Sequence, residues 1–196
     1  MTGANTPETQ QADCDLALGL MVEAVANSRY ANDTLIIVTE DDVQDGPDHV
    51  DSHRGTAFVV GPYVKKEAVV SARYSQVNAL RTIEDVLGTE HINLNTAFQR
   101  PMSEVFDVKS SGAWTYRAEA STILQGTSVL VASMAPPIRF AKGPVLKPRH
   151  PAEYWDAVTK GFDFSEADQV PPAAFNRVLW KGLKGDQPYP AQRGKQ

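Results

Sequence analysis

The spacing of apolar positions divides the first third of the chain into a helix and two short strands. Residues 13–28 follow the helical period on a broad apolar face, so we expect a helix there, after an irregular polar stretch at 1–11. Residues 34–39 and 56–60 are short runs of β-branched and aliphatic side chains, which predict buried strands. A helix followed at once by a buried strand is typical of an α/β sheet in which parallel strands are joined by helices.

The middle of the chain contains one further segment with a clear helical period. Apolar residues recur with helical spacing over 74–87, and Gly88 is well placed to end that helix as a C-cap. The following stretch, 89–112, has helical spacing only in a short turn at 102–106. We expect the rest of that stretch to be a loop.

The last third of the chain is dominated by a proline-rich segment followed by two short helical patterns. Residues 116–131 fit neither the helical nor the strand period. Five prolines in 135–151 predict an extended excursion without helix. Helices are expected near 152–160 and 172–182.

The sharpest change in the pattern comes directly after the first predicted strand, where six acids and two histidines occur within fourteen residues. Asp41 and Asp42 would lie at the carboxyl end of the strand, where α/β proteins usually carry their chemistry. Adjacent carboxylates repel each other unless a cation or a shared proton compensates. His49 and His53 are four residues apart and add imidazole nitrogens. This set of oxygen and nitrogen ligands predicts a site for a divalent metal such as zinc or manganese.

Two other interpretations of the acidic segment stay open at this point. It can be a solvated surface loop whose histidines form ordinary hydrogen bonds. It can also be a calcium loop with oxygen ligands alone, although its spacing differs from that of an EF-hand. The oxygen ligands would then be Asp41, Asp42, Asp45, Asp48 and Asp51.

The remaining residues with reactive side chains are weaker candidates. We expect His91 to be a loop residue, His150 to be exposed, and Cys14 to lie on the first helix without a nucleophilic role. The chain contains no GxSxG elbow, P-loop, CxxC pair or GxGxxG turn. No catalytic nucleophile is therefore identified from the residues.

Composition limits the class of protein. The net charge of −5 over 196 residues, without a basic stripe, argues against nucleic acid as a partner. The polar N-terminus has no signal peptide, and no apolar run reaches the roughly 20 residues that span a bilayer. We expect a soluble protein of unknown compartment with a single domain over 1–196. Residues 1–110 would hold the sheet core and metal-binding loop, and residues 111–196 the proline-rich excursion and C-terminal helices.

The sequence TEDDVQDGPDHVDSHR at residues 39–54 closely resembles the signature of the bacterial phosphoesterase family. That family contains the phospholipase C and acid phosphatase type enzymes of the alkaline phosphatase superfamily. The resemblance extends over most of the chain, through residues 12–19, 74–76, 80–88, 101–106, 175–182 and 188–190.

This resemblance implies an α/β fold with an alkaline phosphatase-like mixed sheet flanked by helices. It implies metal-dependent hydrolysis of phosphoric esters, with Asp41 and Asp42 as an adjacent ligand pair, His53 as a later ligand and His49 as the next candidate. The ion would be zinc, manganese or calcium, and the substrate a phosphate ester. Members of the family are often exported.

The family's nucleophile and first metal-binding acid have no counterpart in these residues. Thr34 and Thr39 do not match the nucleophile position. We therefore expect an incomplete, N-terminally truncated domain whose missing portion would come from a preceding segment or a second chain. The alternative is a non-catalytic remnant, or a metal- or phosphate-binding module, of the same fold.

Overall fold

The structure is a computed structural model, which describes residues 5–40, 55–109, 114–128, 138–166 and 169–190. The chain forms two compact units. The first comprises residues 1–20, 41–55 and 118–196, and the second comprises 21–40 and 56–117. The predicted single domain stays a prediction.

Helix α1 covers Pro7–Ala26, so it begins earlier than the apolar pattern predicts. The prediction of an irregular N-terminal stretch is therefore wrong from Pro7 onward. Thr6 and Thr9 cap the helix reciprocally, since each backbone N–H donates to the other's hydroxyl oxygen, at 3.0 Å from Thr6 and 3.3 Å from Thr9. Proline suits the first helical position because its missing N–H would have no partner there. The predicted end near Asn27 is confirmed.

The core of the first unit forms where one face of α1 meets the segments around residues 120 and 140. Leu16, Ala120 and Leu124 are buried. The 3-10 turn Thr122–Leu124 supplies the last of these, and it lies in the part of the ambiguous region 116–131 that the structure describes, which ends at 128. Ala120 and Phe140 form an isolated parallel bridge, in which the Ala120 N–H donates to the Arg139 carbonyl at 2.7 Å.

The proline-rich segment contains no helix where the structure describes it, from 138 to 151, as its composition predicts. It is held to the turn by Thr122, whose hydroxyl donates to the Pro144 carbonyl at 2.8 Å. The same hydroxyl oxygen accepts the Leu146 N–H at 3.2 Å. Thr122 therefore joins the Ala120–Phe140 bridge in fixing the course of a segment that has few backbone donors of its own.

Both predicted C-terminal helices are confirmed, as α4 at Ala152–Thr159 and α5 at Pro172–Lys184. Trp155 of α4 is buried, and its ring covers the backbone of α5 at Gly182. His150 stacks on Tyr154 with ring centroids 3.8 Å apart, so the expectation that His150 is exposed is wrong. An imidazole loses little by covering an aromatic face, because one edge of the ring can stay in water.

The second unit contains both predicted strands, β1 at Ile36–Thr39 and β2 at Ala57–Val60. They are partly buried rather than fully buried, with Thr39, Ala57 and Phe58 exposed. They pair antiparallel, with Ile36 opposite Val60 and Thr39 opposite Ala57. Within the described ranges the sheet consists of these two strands. The alkaline phosphatase-like mixed sheet stays a prediction.

Helix α2 at Gln76–Leu87 agrees with its predicted range, and Gly88 ends it with φ of 65°, in the left-handed region that favours glycine. The predicted turn is the 3-10 helix Ser103–Val105. The pattern predicts a loop between them, and that prediction is wrong for α3 at Leu94–Phe98. The Asn93 side-chain oxygen accepts the N–H groups of the first turn of α3, which makes so short a helix stable.

The core of this unit joins α2 to the strand pair. Ala79 of α2 is buried with Met102 and Val105, and Ile37 of β1 and Val59 of β2 pack against this cluster. None of the helices in the described ranges combines the length and apolar composition that a bilayer crossing requires.

The contact between Gly182 and Trp155 leads to a stability prediction. A Cβ added at Gly182 would lie 2.3 Å from the Cη2 atom of Trp155, so Gly182→Ala must displace a buried ring. We expect a loss of about 1–3 kcal/mol in the free energy of unfolding. The higher helix propensity of alanine, about 1 kcal/mol, offsets only part of such a clash. Urea denaturation followed by circular dichroism measures the difference.

Gly161→Ala is the matched control, because a Cβ there meets no heavy atom within 4 Å. Replacing Trp155 by leucine first should reduce the penalty at Gly182. A Gly182→Ala protein as stable as the wild type would contradict the tight contact.

Candidate functional site

The predicted metal ligands Asp41, Asp42, His49 and His53 lie outside the described residues. The three remaining oxygen ligands of the calcium alternative, Asp45, Asp48 and Asp51, do so as well. The structure therefore informs the candidate site through the residues that flank the acidic segment.

The acidic segment is attached to the end of the β1–β2 pair. Glu40 follows the last residue of β1, and its N–H donates to the Thr56 carbonyl at 3.0 Å. Thr56 precedes β2, and its N–H donates to the Glu40 carboxylate at 3.0 Å. This Glu40–Thr56 pair continues the antiparallel pairing one step beyond Thr39 and Ala57. The chain therefore leaves the sheet and returns to it at adjacent positions.

Glu40 has a role that the sequence interpretation did not assign. It is the first of the six clustered acids, yet its side-chain oxygen accepts a backbone N–H on the opposite strand. A carboxylate used in this way satisfies a donor at the end of the sheet, where the regular ladder stops. No pattern in the sequence separates Glu40 from its acidic neighbours, because the distinction depends on which strand lies opposite.

A carboxylate–imidazole pair lies in the second unit, between α2 and the loop after it. Glu84 is buried, and its carboxylate accepts the Ile92 N–H at 3.0 Å and pairs with His91 Nδ1 at 2.8 Å. The hydrogen bond from Ile92, followed by that from His91, lowers the pKa of Glu84 below its ordinary value of 4.5 despite burial. His91 is in a loop, as predicted, and here it secures that loop to the helix.

The described residues contain no cluster of three or more histidine, cysteine, aspartate or glutamate side chains that could hold a metal ion. Glu84 and His91 are two ligands without a third. Cys14 is exposed on α1 and is a free thiol. The pair at Glu84 is therefore best understood as a structural anchor.

An open cleft of about 270 Å³ lies beside the C-terminal end of α5, in the first unit. Its polar groups are engaged with one another. The Trp180 indole N–H donates to the Gln187 carbonyl at 2.8 Å, and Lys181 forms an ion pair with Asp186. This ion pair lowers the pKa of Asp186. The cleft is smaller than most ligand sites, which are about 300–1,000 Å³. The contacts that line it hold the residues after α5 against that helix.

Comparison of the chain with protein-family models, with curated proteins and with solved structures finds no match. A functional interpretation therefore depends on the residues themselves.

The anchor at Glu84 predicts a pH-dependent stability. Because the pKa of Glu84 is lower in the folded state, its carboxylate stabilises the fold above pH 4.5. That contribution declines as the pH falls below 4.5 and is lost once the pH has passed through the lower, folded-state pKa. We expect Glu84→Gln to be less stable than the wild type at pH 7, and the difference to narrow in acid. Urea denaturation at pH 7, 5, 4 and 3 measures this.

Glu90→Gln is the control, because it removes an exposed carboxylate from the same loop without touching the anchor. A difference between wild type and Glu84→Gln that stays constant across this pH range would contradict the assignment.

Proposed function

We propose that the chain takes part in the metal-dependent hydrolysis of phosphoric esters and that residues 41–54 supply some of the ligands of the metal site. Asp41 and Asp42 would bind the ion through carboxylate oxygens and His53 through an imidazole nitrogen, with His49 as the next candidate. The observation that carries this proposal is the resemblance of residues 39–54 to the phosphoesterase signature. The ion would be zinc, manganese or calcium.

The donor set is chemically suited to such an ion. Two adjacent carboxylates bring two negative charges whose repulsion a divalent cation removes, and a neutral imidazole adds a nitrogen ligand. Oxygen and nitrogen ligands of this kind fit zinc and manganese, whereas calcium would use the carboxylates alone. A divalent ion held there would neutralise charge on a phosphate group.

The Glu40–Thr56 pair supports the choice of ligands through covalent reach. An extended chain spans at most about 3.3–3.6 Å per residue, so a residue few bonds away from a fixed point cannot be far from it. Asp42 is two residues after Glu40 and His53 is three residues before Thr56. Both are therefore tethered within roughly 11 Å of this fixed pair. His49 has a tether more than twice as long as that of His53, which favours His53 as the ligand.

The resemblance assigns no residue of this chain to the nucleophile of the reaction. The proposal therefore gives the chain the tasks of holding the ion and, through the ion, the phosphate group. The serine or threonine that attacks phosphorus would come from a preceding portion of the protein or from a second chain. The alternative is a module that binds metal and phosphate without catalysis.

Metal binding is the first expected outcome. Chain stripped with EDTA and titrated calorimetrically with Zn²⁺ or Mn²⁺ should bind the ion, and Asp41→Asn/Asp42→Asn should weaken binding by more than about tenfold, since even loss of a ligand's supporting partner costs 10–100-fold. Affinity should also fall as the pH drops through about 6.5, because a protonated imidazole cannot bind metal. Asp51→Asn is the matched control in the same segment.

The control also separates the interpretations of the segment. An equal loss in Asp51→Asn, with preference for Ca²⁺, would favour the calcium loop. Failure of the wild type to bind any of the three ions would favour the solvated loop and contradict the proposal.

Phosphate binding is the second expected outcome. Inorganic phosphate should raise the thermal midpoint of the metal-loaded wild type, and it should have no such effect on the metal-free protein or on Asp41→Asn. The physical reason is that an anion gains little from a cluster of carboxylates unless a cation is present. Differential scanning fluorimetry at millimolar phosphate, with sulfate as a control for ionic strength, measures the effect.

Hydrolysis of p-nitrophenyl phosphate with added Zn²⁺, Mn²⁺ or Ca²⁺ distinguishes the enzyme from the module. Turnover that Asp41→Asn abolishes would show that the chain is catalytic by itself. Metal-dependent phosphate binding without turnover would support the non-catalytic module.

A further inference from the structure

The side chain of Glu40 takes a place in the strand pair that a backbone group normally takes. Glu40 lies opposite Thr56, one step beyond the paired residues Thr39 and Ala57, and its N–H donates to the Thr56 carbonyl at 3.0 Å. In a regular hydrogen-bonded pair of antiparallel strands, the two residues exchange both backbone bonds. Here the Thr56 N–H donates instead to Oε2 of the Glu40 carboxylate, at 3.0 Å. The carboxylate therefore replaces the Glu40 carbonyl in the last pair of the ladder.

This replacement joins the two sides of the acidic segment at the point where the chain leaves the sheet. Strand β1 ends at Thr39, so Glu40 is already outside it. A glutamate side chain is long enough to reach the donor of the opposite strand from a residue that no longer belongs to the ladder. The N–H of Thr56 keeps an acceptor in this way, and residues 40 and 56 are held together by two hydrogen bonds.

The sequence alone allows two roles for Glu40, because it directly precedes the proposed ligands Asp41 and Asp42. Its carboxylate could be a third acidic ligand of the ion, or it could hold the segment in place. The structure gives Oε2 a backbone donor, and a hydrogen bond to an ionised acceptor is stronger than one between neutral groups. Binding an ion through that oxygen would give up this bond. The geometry therefore favours the holding role.

We propose that Glu40 is a positioning residue of the metal site, whose carboxylate raises the affinity for the ion without binding it. This inference rests on the proposed function, in which Asp41 and Asp42 lie at one end of the segment and His53 at the other. Ligands from both ends must come together around one ion, and closing the loop between them costs conformational entropy. The bond from Thr56 to Glu40 lowers that cost, because it holds the ends of the segment close to each other.

Two substitutions of Glu40 test this role through metal affinity. Glu40→Ala should weaken the binding of Zn²⁺ or Mn²⁺ roughly threefold to tenfold, which is the range that one hydrogen bond contributes to an equilibrium constant. Glu40→Gln should recover most of the affinity, because its side-chain carbonyl oxygen can accept the same N–H. Calorimetric titration of the EDTA-stripped full chain measures both. About 0.15 M salt in the buffer reduces the effect of the lost charge.

Thr56→Pro separates the positioning role from a ligand role, since proline has no N–H for the carboxylate to accept. In this background Glu40→Ala should cause no further loss of affinity, because the bond that it removes is already absent. A ligand role predicts that Glu40→Gln weakens binding as strongly as Glu40→Ala, and that the loss persists in Thr56→Pro. That pattern would overturn the proposal.

Amide hydrogen exchange followed by NMR tests the bond without any ion. The Thr56 N–H should exchange faster in Glu40→Ala than in the wild type, and Glu40→Gln should restore its protection. The Ile92 N–H is the internal control, because it donates to the Glu84 carboxylate at 3.0 Å and should exchange at the same rate in all three proteins.

The exchange data distinguish a failure of this inference from a failure of the proposed function. Unchanged exchange of the Thr56 N–H in Glu40→Ala would overturn the inference even in a chain that binds metal. A wild type that binds none of the ions would overturn the proposed function and the positioning role with it, and a response at Thr56 would then show that Glu40 serves the strand pair alone.

Discussion

The attachment of α2 to the backbone of residues 91–102 is the constraint on which the second unit depends. Polar side chains of the helix bind carbonyl and amide groups of a segment that has little regular structure of its own. This attachment places Met102 against Ala79, and Val105 completes the same cluster. Ile37 of β1 and Val59 of β2 pack on that cluster. The position of the strand pair therefore depends on the hydrogen bonds between α2 and residues 91–102. The point at which the acidic segment leaves the strand pair depends on the same bonds.

Such an arrangement has an energetic consequence for the helix. A net gain of about 0.5–1.5 kcal/mol per hydrogen bond is modest, but a buried donor or acceptor without a partner costs about 1–3 kcal/mol. These hydrogen bonds therefore fix the orientation of α2, since any other orientation would leave several buried donors or acceptors without partners. The buried Glu84 carboxylate helps to fix the same orientation, because it accepts the Ile92 N–H and pairs with His91. The same bonds turn the apolar side of the helix to solvent.

The elements that follow from local patterns could be predicted from the sequence. The apolar period locates α2, and Gly88 ends it because a left-handed residue is needed there. The start of α1 escapes the pattern because it depends on a reciprocal pair of threonines ahead of the first apolar positions. Helix α3 escapes it for a similar reason, since a single asparagine cap defines its first turn. A cap consists of one or two residues, so it is a weaker signal in the sequence than an apolar period that extends over a whole helix.

The apolar period of the sequence does not predict that the polar face of α2 points toward the rest of the unit. An amphipathic pattern predicts that Leu80 is buried and Arg81 is solvated, and the structure places Leu80 in solvent and Arg81 against backbone carbonyls. Arg81 binds backbone carbonyls, which every residue carries, so the sequence does not indicate that these groups are its partners.

For the candidate metal site, the residue types can be seen in the sequence, but the arrangement of the segment's two ends can be seen only in the structure. The prediction of a metal site comes from residue types alone, because adjacent carboxylates with nearby imidazoles are a ligand set suited to divalent ions, and it stays a prediction. What the sequence could not supply is the reason that the two ends of the segment meet, which is the pairing of Glu40 with Thr56 across antiparallel strands. Closing a loop costs conformational entropy, and the Glu40–Thr56 pair already brings the two ends of the segment together. The proposed ligands Asp41, Asp42 and His53 are divided between the two ends of the segment, so a site built from them would benefit most from this closure.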